Sequence, residues 1–191
     1  MKKRLLIIGA GGHGRAIAEA VLLENKYSLT AFLDDAVCPS ANFLGYPIWG
    51  ATEILESCRG RIDFVFVAIG KNDLRMTLHE RICAEGMVLA TIIHPSAIIS
   101  PTATVGQGCA IMARAVVGAG ALLGEGVIVN CGAVIDHDCI VQSFGHLSVN
   151  AAMAGGSVLG HRAWMRVNSA LDYGVKLPAG HVLRAGETLH G

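Results

Sequence analysis

A chain of 191 residues suffices for one large domain or two small ones, and 52% apolar with 16% charged residues excludes a disordered polymer. Lys plus Arg and Asp plus Glu balance at 15 each, which argues against nucleic acid or an anionic membrane surface as the main partner. No apolar run approaches the roughly 18 residues of a spanning helix, so no membrane insertion is expected.

Lys3 to Ile8 is a continuous apolar run suited to a buried parallel strand. It imitates an export signal only until Gly9, and no small-residue cleavage site follows, so a cytoplasmic protein is expected. Arg15 to Glu24 has helical spacing, with Ile17, Ala18, Ala20 and Val21 on one side. Leu29 to Leu33 reads as a second strand ending at Asp34 and Asp35, and Ala51 to Cys58 as a helix. Asp63 to Ile69 is the clearest buried strand, Leu74 to Glu85 is amphipathic, and Met87 to Ile93 reads as a further strand. Strands alternating with helices predict a small α/β Rossmann-like domain over residues 1–90, its parallel sheet covered on both faces. Cysteines stand at 38, 58, 83, 109, 131 and 139 with no CxxC spacing, which reads as reduced, buried cytosolic thiols.

Residues 91–191 have a different composition: 10 of the 30 charges, but 15 of the 24 Gly and 6 of the 8 His. From Ile93 to Leu189 every sixth residue is aliphatic or Met, seventeen times without a miss. Four residues after each, the side chain is usually small, as at Ala97, Cys109, Ala121, Ala133, Cys139 and Ser157. A period of six fits neither a helix nor an ordinary strand, but it fits a triangular parallel β-helix of hexapeptide repeats with three sides per turn. Its outer positions, Val116, Leu122, Ile128, Val134 and Ile140, are also apolar, so association between copies is expected.

Two motifs carry chemistry. Gly9, Gly11 and Gly14 form G-x-G-x-x-G between a strand and a helix, which aims a helix N-terminus at a phosphate. Asp34, at the end of the next strand, stands where ribose hydroxyls are bound. The domain is too short for a dinucleotide; a mononucleotide diphosphate fits, and tight strand–helix packing without a ligand is the alternative. Asp136-His137-Asp138 is the second motif. His137 stands two places after Ile135 and so points out of the prism. Flanking carboxylates raise its basicity and fix its tautomer, as a general base requires; a solvated surface His is the alternative.

The stretches 9–14, 32–35 (Phe-Leu-Asp-Asp), 68–72 (Ala-Ile-Gly-Lys-Asn), 93–97 (Ile-His-Pro-Ser-Ala) and 135–139 (Ile-Asp-His-Asp-Cys) resemble the bacterial nucleotide-aminosugar N-acetyltransferase and sialic acid O-acetyltransferase family. The resemblance covers nearly the whole chain, apart from Lys71, Gln142 and the C-terminal stretch. It implies that residues 91–191 form a left-handed β-helix acyltransferase domain, that the protein is a homotrimer through that helix, and that acetyl-CoA is the co-substrate. It further implies that Gly11, Gly12, His13, Asp34, Asp35 and Gly70, with Asn72 and Asp73, hold a UDP-sugar. His137 would deprotonate the amine and Asp138 would hydrogen-bond that His. Asn130 would lie near the reacting sugar, the Gly155 N–H would meet the thioester oxygen, and His146, Val167 and Ala185 would contact acetyl-CoA. For Gly155 a corner glycine of the coil is the competing reading.

The function implied is N-acetylation of a nucleotide-linked amino sugar, a UDP-4-amino sugar, by direct transfer. The alternatives are O-acetylation of sialic acid or another glycan, and a non-catalytic trimer that binds a nucleotide sugar. His137, His146 and His161 all lie off the inward positions and raise a zinc site like that of gamma-class carbonic anhydrases. The acids beside His137 and the nucleotide-like first domain do not need that chemistry, and no metal is expected.

Overall fold

A computed structural model describes residues 2–36 and 42–191. Cys38 lies outside them. The chain divides into two compact units, Met1–Ile92 and Ile93–Gly191.

In the first unit β1 (Lys3–Ile8), α1 (Gly12–Glu24) and β2 (Tyr27–Leu33) are followed by β3 (Asn42–Phe43) and β4 (Tyr46–Gly50). A 3-10 helix (Thr52–Cys58), β5 (Phe64–Val67) and α2 (Asn72–Ala84) complete it. The sheet order is β3-β4-β2-β1-β5, with β3 alone antiparallel to its neighbour. β1 lies between β2 and β5, and Leu5 to Ile8 are wholly buried, which is why that run is continuously apolar. α1 buries Ile17, Ala18, Ala20 and Val21. Leu55 of the 3-10 helix and Leu78 and Ile82 of α2 join Leu6, Ile8, Leu33, Val65 and Val67 in one core.

Three details refine or depart from the sequence expectation. The helix read over 51–58 is present as a 3-10 helix, Thr52–Cys58, which buries only Leu55 and Cys58. Residues 87–91 make no strand. A single bridge joins Leu89 to Val65, through Val65 N–H to Val88 O and Ala90 N–H to Val65 O, both at 2.9 Å. Asn42–Gly50 adds a hairpin whose turn residues, Leu44 and Gly45, both have positive φ (54° and 80°), as a type I′ turn requires.

The second unit is the coil. Its strands, β6 to β22, are two residues each and run from Ile92–Ile93 to Thr188–Leu189. They stack in three parallel sheets, β7 to β22, β8 to β20 and β6 to β21, each taking every third strand. Val116 pairs with Val134 and Val117 with Ile135, a step of 18 residues per turn. This is the left-handed β-helix. Ile111, Val117, Val129, Ile135, Val141 and Leu147 fill its axis, with the small residues Cys109, Ala115, Ala121, Ala133 and Cys139 beside them.

The corners explain the glycine surplus. From Gly108 to Gly186 every sixth residue has positive φ; eight of these are Gly, and the rest are Arg114, Asp138, Phe144, Asn150, Arg162 and Asn168. Asn and Asp tolerate this left-handed region better than most side chains. Adjacent corners are tied by backbone bonds, such as Asp138 N–H to Ala119 O at 2.8 Å and Gly156 N–H to His137 O at 3.0 Å. Side chains 18 apart therefore stand in one column. Of the described cysteines, Cys58, Cys109 and Cys139 are buried as expected, while Cys83 is exposed.

Candidate functional site

In the first unit the β1–α1 turn divides its glycines by cause. A Cβ on Gly14 would lie 2.1 Å from Gly9 O, and one on Gly9 2.9 Å from Ala68 O. Backbone crowding demands both, and Gly9 also has a positive φ of 105°. Nothing lies within 4 Å of a Cβ built on Gly11 or Gly12. The turn thus has both packing glycines and open ones, and the open pair begins α1. No side chain caps α1, and no acidic residue stands in its first turn, so its N-terminal N–H groups face outward with their partial positive charge.

Beside them is a cavity of about 360 Å³ that Gly11, His13, Asp34, Asp35, Thr52 and Ile69 help to line. It brings four of the expected residues together; Gly12, Gly70, Asn72 and Asp73 are not in its lining. Both carboxylates are engaged in shaping the loops. Asp34 accepts from Ala10 N–H (2.6 Å) and Ala36 N–H (2.8 Å). Asp35 accepts from Thr52 N–H (2.7 Å) and Thr52 Oγ1 (3.2 Å), at the start of the 3-10 helix.

Arg75, a charged residue in the amphipathic helix, turns inward and is 1% exposed. Its Nη1 donates to Ile69 O and Gly70 O, both at 3.1 Å, and its Nη2 to Asn72 Oδ1 at 2.9 Å. It holds the β5–α2 loop from behind, and Asn72 is its partner. Burial, then the charge of Arg75, pushes His13 and His79 down to about 4. Both are therefore neutral at ordinary pH.

In the second unit His137 follows β13 and is half exposed. Its Nδ1 lies 2.8 Å from Asp138 Oδ2. A carboxylate only accepts, so Nδ1 carries the proton and Nε2 the lone pair. Asp138 reaches back to the ring because it occupies the left-handed corner position, φ 57°. Its hydrogen bond, and then the charge of Asp136, raise the His137 pKa above its ordinary value. Asp136 also accepts the His137 backbone N–H at 2.7 Å.

One turn on, Gly155 occupies the same column. A Cβ there would lie 2.5 Å from His137 Nε2 and 2.7 Å from Cε1; the imidazole leans over the space that glycine leaves. Another turn on is Tyr173, its ring centroid 6.3 Å from that of His137. Asp172 accepts the Tyr173 N–H at 2.8 Å, as Asp136 does for His137. The intervening corner has Ala154 in place of an acid, and among the described residues the Gly155 N–H meets no acceptor. An acid-held imidazole and an uncapped N–H thus occupy successive turns.

Asn130 follows β12, one side of the prism before His137, and its Oδ1 accepts from Cys131 N–H at 2.8 Å. His146, read from the sequence as pointing outward, is covered: it is 6% exposed and stacks on Trp164, with ring centroids 4.9 Å apart and planes at 9°. Trp164 is 18 residues on from His146. Its Nε1 donates to Ser148 Oγ at 2.9 Å, and the Arg166 guanidinium lies 4.2 Å from its ring centre. Val167 and Ala185 form a separate exposed column, with Gly186 N–H bonded to Val167 O at 2.9 Å. His161 lies 6.0 Å, ring to ring, from Phe144. Arg75, Trp164 and Tyr173 are not among the residues that the sequence singled out. For the two aromatics the available signal is the 18-residue step.

A hexapeptide β-helix with an acid-held histidine on a corner, preceded by an α/β unit with an open glycine turn, defines an acyltransferase of the hexapeptide class. The N-terminal domain family of PglD matches residues 4–82. A UDP-N-acetylbacillosamine N-acetyltransferase from Bacillus subtilis (strain 168) is 36% identical over 110 residues, and the match spans 56% of this chain and half of that relative's length. A histidine-to-alanine variant of GDP-perosamine N-acetyltransferase from Caulobacter crescentus, solved with CoA and GDP-perosamine, is 34% identical with a TM-score of 0.93. It covers 97% of this chain and 88% of its own. The acetyltransferase domain of PglB from Neisseria gonorrhoeae FA1090, solved with acetyl coenzyme A, is 37% identical with a TM-score of 0.91, over 97% and 90%. The chain belongs to the bacterial nucleotide-aminosugar N-acetyltransferase and sialic acid O-acetyltransferase family, acyltransferases dependent on acetyl-CoA.

Proposed function

We propose that this protein transfers the acetyl group of acetyl-CoA to the amine of a nucleotide-linked amino sugar, a UDP-4-amino sugar, with His137 as general base. The observation that carries this reading is the exposed His137 ring, with Nδ1 held by Asp138 and Nε2 over Gly155. Nε2 takes a proton from the amine as its nitrogen bonds to the acetyl carbon. Asp138 stabilises the imidazolium that forms. The uncapped Gly155 N–H donates to the carbonyl oxygen as negative charge develops there. The C–S bond breaks, the amide remains on the sugar, and the sulfur regains a proton, so no enzyme cysteine is needed.

Gly11, Gly12 and His13 at the start of α1 would hold the diphosphate. Asp34 and Asp35 would face the ribose, and Gly70, Asn72 and Asp73 would border the nucleotide. Asn130 would contact the sugar; His146, Val167 and Ala185 would line the CoA arm. A homotrimer is the expected assembly, because Ile98, Leu122, Val134, Ile140 and Val182 leave apolar side chains exposed on the coil. Among the described residues no helix is long and apolar enough to cross a membrane; acetyl-CoA and a nucleotide sugar as co-substrates put the proposed site of action in the cytoplasm.

The test is CoA-thiol release with UDP-, GDP- and dTDP-linked 4-amino sugars and their hydroxyl analogues. GDP is included because the Caulobacter neighbour holds GDP-perosamine. Turnover with the UDP-linked amine alone is expected. Preference for another base corrects the nucleotide, turnover of hydroxyl analogues supports O-acetylation, and binding without thiol release supports a non-catalytic binder. His137→Ala is expected to lower kcat by about 10² to 10⁴ while nucleotide-sugar binding persists. An unimpaired variant removes His137 from the mechanism.

A further inference from the structure

We propose that Tyr173 is a positioning residue for His137, acting across the gap that Gly155 leaves in the column between them. The inference rests on His137 being the base. It starts from a repetition in the coil. Asp136-His137 and Asp172-Tyr173 are the same corner two turns apart: in each, the Asp side chain accepts the next residue's backbone N–H, at 2.7 and 2.8 Å. Each ring therefore leaves its corner from a fixed backbone. Between them Ala154-Gly155 carries no side chain beyond a methyl group. A Cβ on Gly155 would meet His137 Nε2 at 2.5 Å and Tyr173 Cε2 at 3.0 Å, so both rings enter the same small volume from opposite sides.

His137 needs such a wall. One hydrogen bond, to Asp138, holds Nδ1, while at the other end Asp136 Oδ2 lies 4.0 Å from Nε2, beyond hydrogen-bond reach, so that end of a half-exposed imidazole can swing. Tyr173 stands against the other end, with ring centroids 6.3 Å apart at 54°. Tyr173 is itself 71% exposed, a costly place for a large aromatic on a coil with only two others, Phe144 and Trp164. Asp172 sets its backbone, and His190 Nδ1 holds Asp172 Oδ2 at 3.2 Å. The groups facing His137 are Asp136 and Asp138 on its own corner and Tyr173, with Asp172 behind it; Ala119 and Gly155, on the turns either side, carry no charge.

The test uses Tyr173→Ala and Tyr173→Phe in the full chain. Because the side chain is exposed, both variants should keep the wild-type melting temperature. Tyr173→Ala is expected to lower kcat by about ten- to a hundredfold, with little change in the KM for acetyl-CoA. Tyr173→Phe, which keeps the ring, should recover most of that loss. The second readout is the NMR titration of the His137 Cε1–H. In Tyr173→Ala the ring leaves Asp138 part of the time, so its midpoint should fall toward the ordinary histidine value; in Tyr173→Phe it should not. Added solvent around the ring would push the midpoint up, but the Asp138 hydrogen bond is the larger influence. An unmoved midpoint in Tyr173→Ala overturns the proposal even if kcat falls. The titration needs no substrate, so a failure of the acetyl-transfer reading shows in the thiol assay and not here.

Discussion

The two units use glycine for opposite ends of the same purpose. At the β1–α1 turn the chain is crowded by its own backbone, and Gly9 and Gly14 relieve that crowding, while Gly11 and Gly12 stand in open space. On the coil the backbone repeats without variation, and Gly155 is wanted by a side chain, the imidazole one turn away. In the first unit a glycine that packing does not require points to an outside partner. On the coil, Gly106, Gly118, Gly124 and Gly160 are pressed by backbone, and Gly155 differs from them because what presses it is an imidazole, that of the proposed base.

That contrast can be broken most forcefully at the turn. Gly14→Ala drives a Cβ into a backbone oxygen that cannot rotate away. A destabilisation of about 3 kcal/mol, at the upper end of the usual overpacking cost, is expected in the first unit. Urea unfolding followed by the Trp49 fluorescence would measure it. Gly11→Ala meets nothing in the protein, so the same measurement should show almost no change, while the KM for the nucleotide sugar rises by about tenfold, the loss of one good contact. Equal stability losses in the two variants would mean that the open glycine is a packing glycine after all.

The matching change in the coil is Gly155→Ala. Its Cβ meets the far end of a side chain, not backbone, so the ring gives way and the fold stands. The ring can give way only by leaving Nε2's position, and kcat should fall by about ten- to a hundredfold with the melting temperature nearly unchanged. A large loss of stability with a preserved kcat would make Gly155 a corner glycine and nothing more.

The two units were also unequally legible. In the coil a strict period of six fixes which side chains turn inward, because the side of the prism is six residues long. The outward placement of His137 follows from its distance from Ile135 alone. What the period of six hides is the period of eighteen. Read at that step, His146 falls under Trp164, and His137 under Gly155 and Tyr173, which is why a histidine off the inward positions can still be buried.

In the α/β unit no such arithmetic exists. Residues 42–50 hide a hairpin because its strands are short and Pro47 argues against one. The run 51–58 has the spacing of a helix of either kind, and the hydrogen-bond pattern decides. Arg75 reads as a solvent-facing charge on an amphipathic helix. The loop carbonyls of Ile69 and Gly70 and the Asn72 side chain, presented by the fold, give its guanidinium a reason to be inside. Asp34 and Asp35 were legible by position at a strand end, but not by their backbone partners, which come from residues up to 24 positions away.

The smallest effect isolates the electrostatics of the coil site from its geometry. In its proposed role as base His137 must be deprotonated, so kcat/KM is expected to fall as pH falls through its pKa. Asp138 and Asp136 hold that pKa above the ordinary 6.5, so the wild type should begin to lose rate at a higher pH than an unassisted histidine would. Asp138→Asn keeps a residue that tolerates the left-handed corner and can still accept the Nδ1–H, but it removes the charge that stabilises the imidazolium. Its acidic limb should therefore move down in pH. The substrate's own amine also titrates, but identically in both proteins, so the difference between the two profiles belongs to the enzyme. Coincident limbs would mean that Asp138 shapes the corner without tuning the base. That would leave the carboxylate doing for His137 what Asp172 does for Tyr173, holding an orientation and no more.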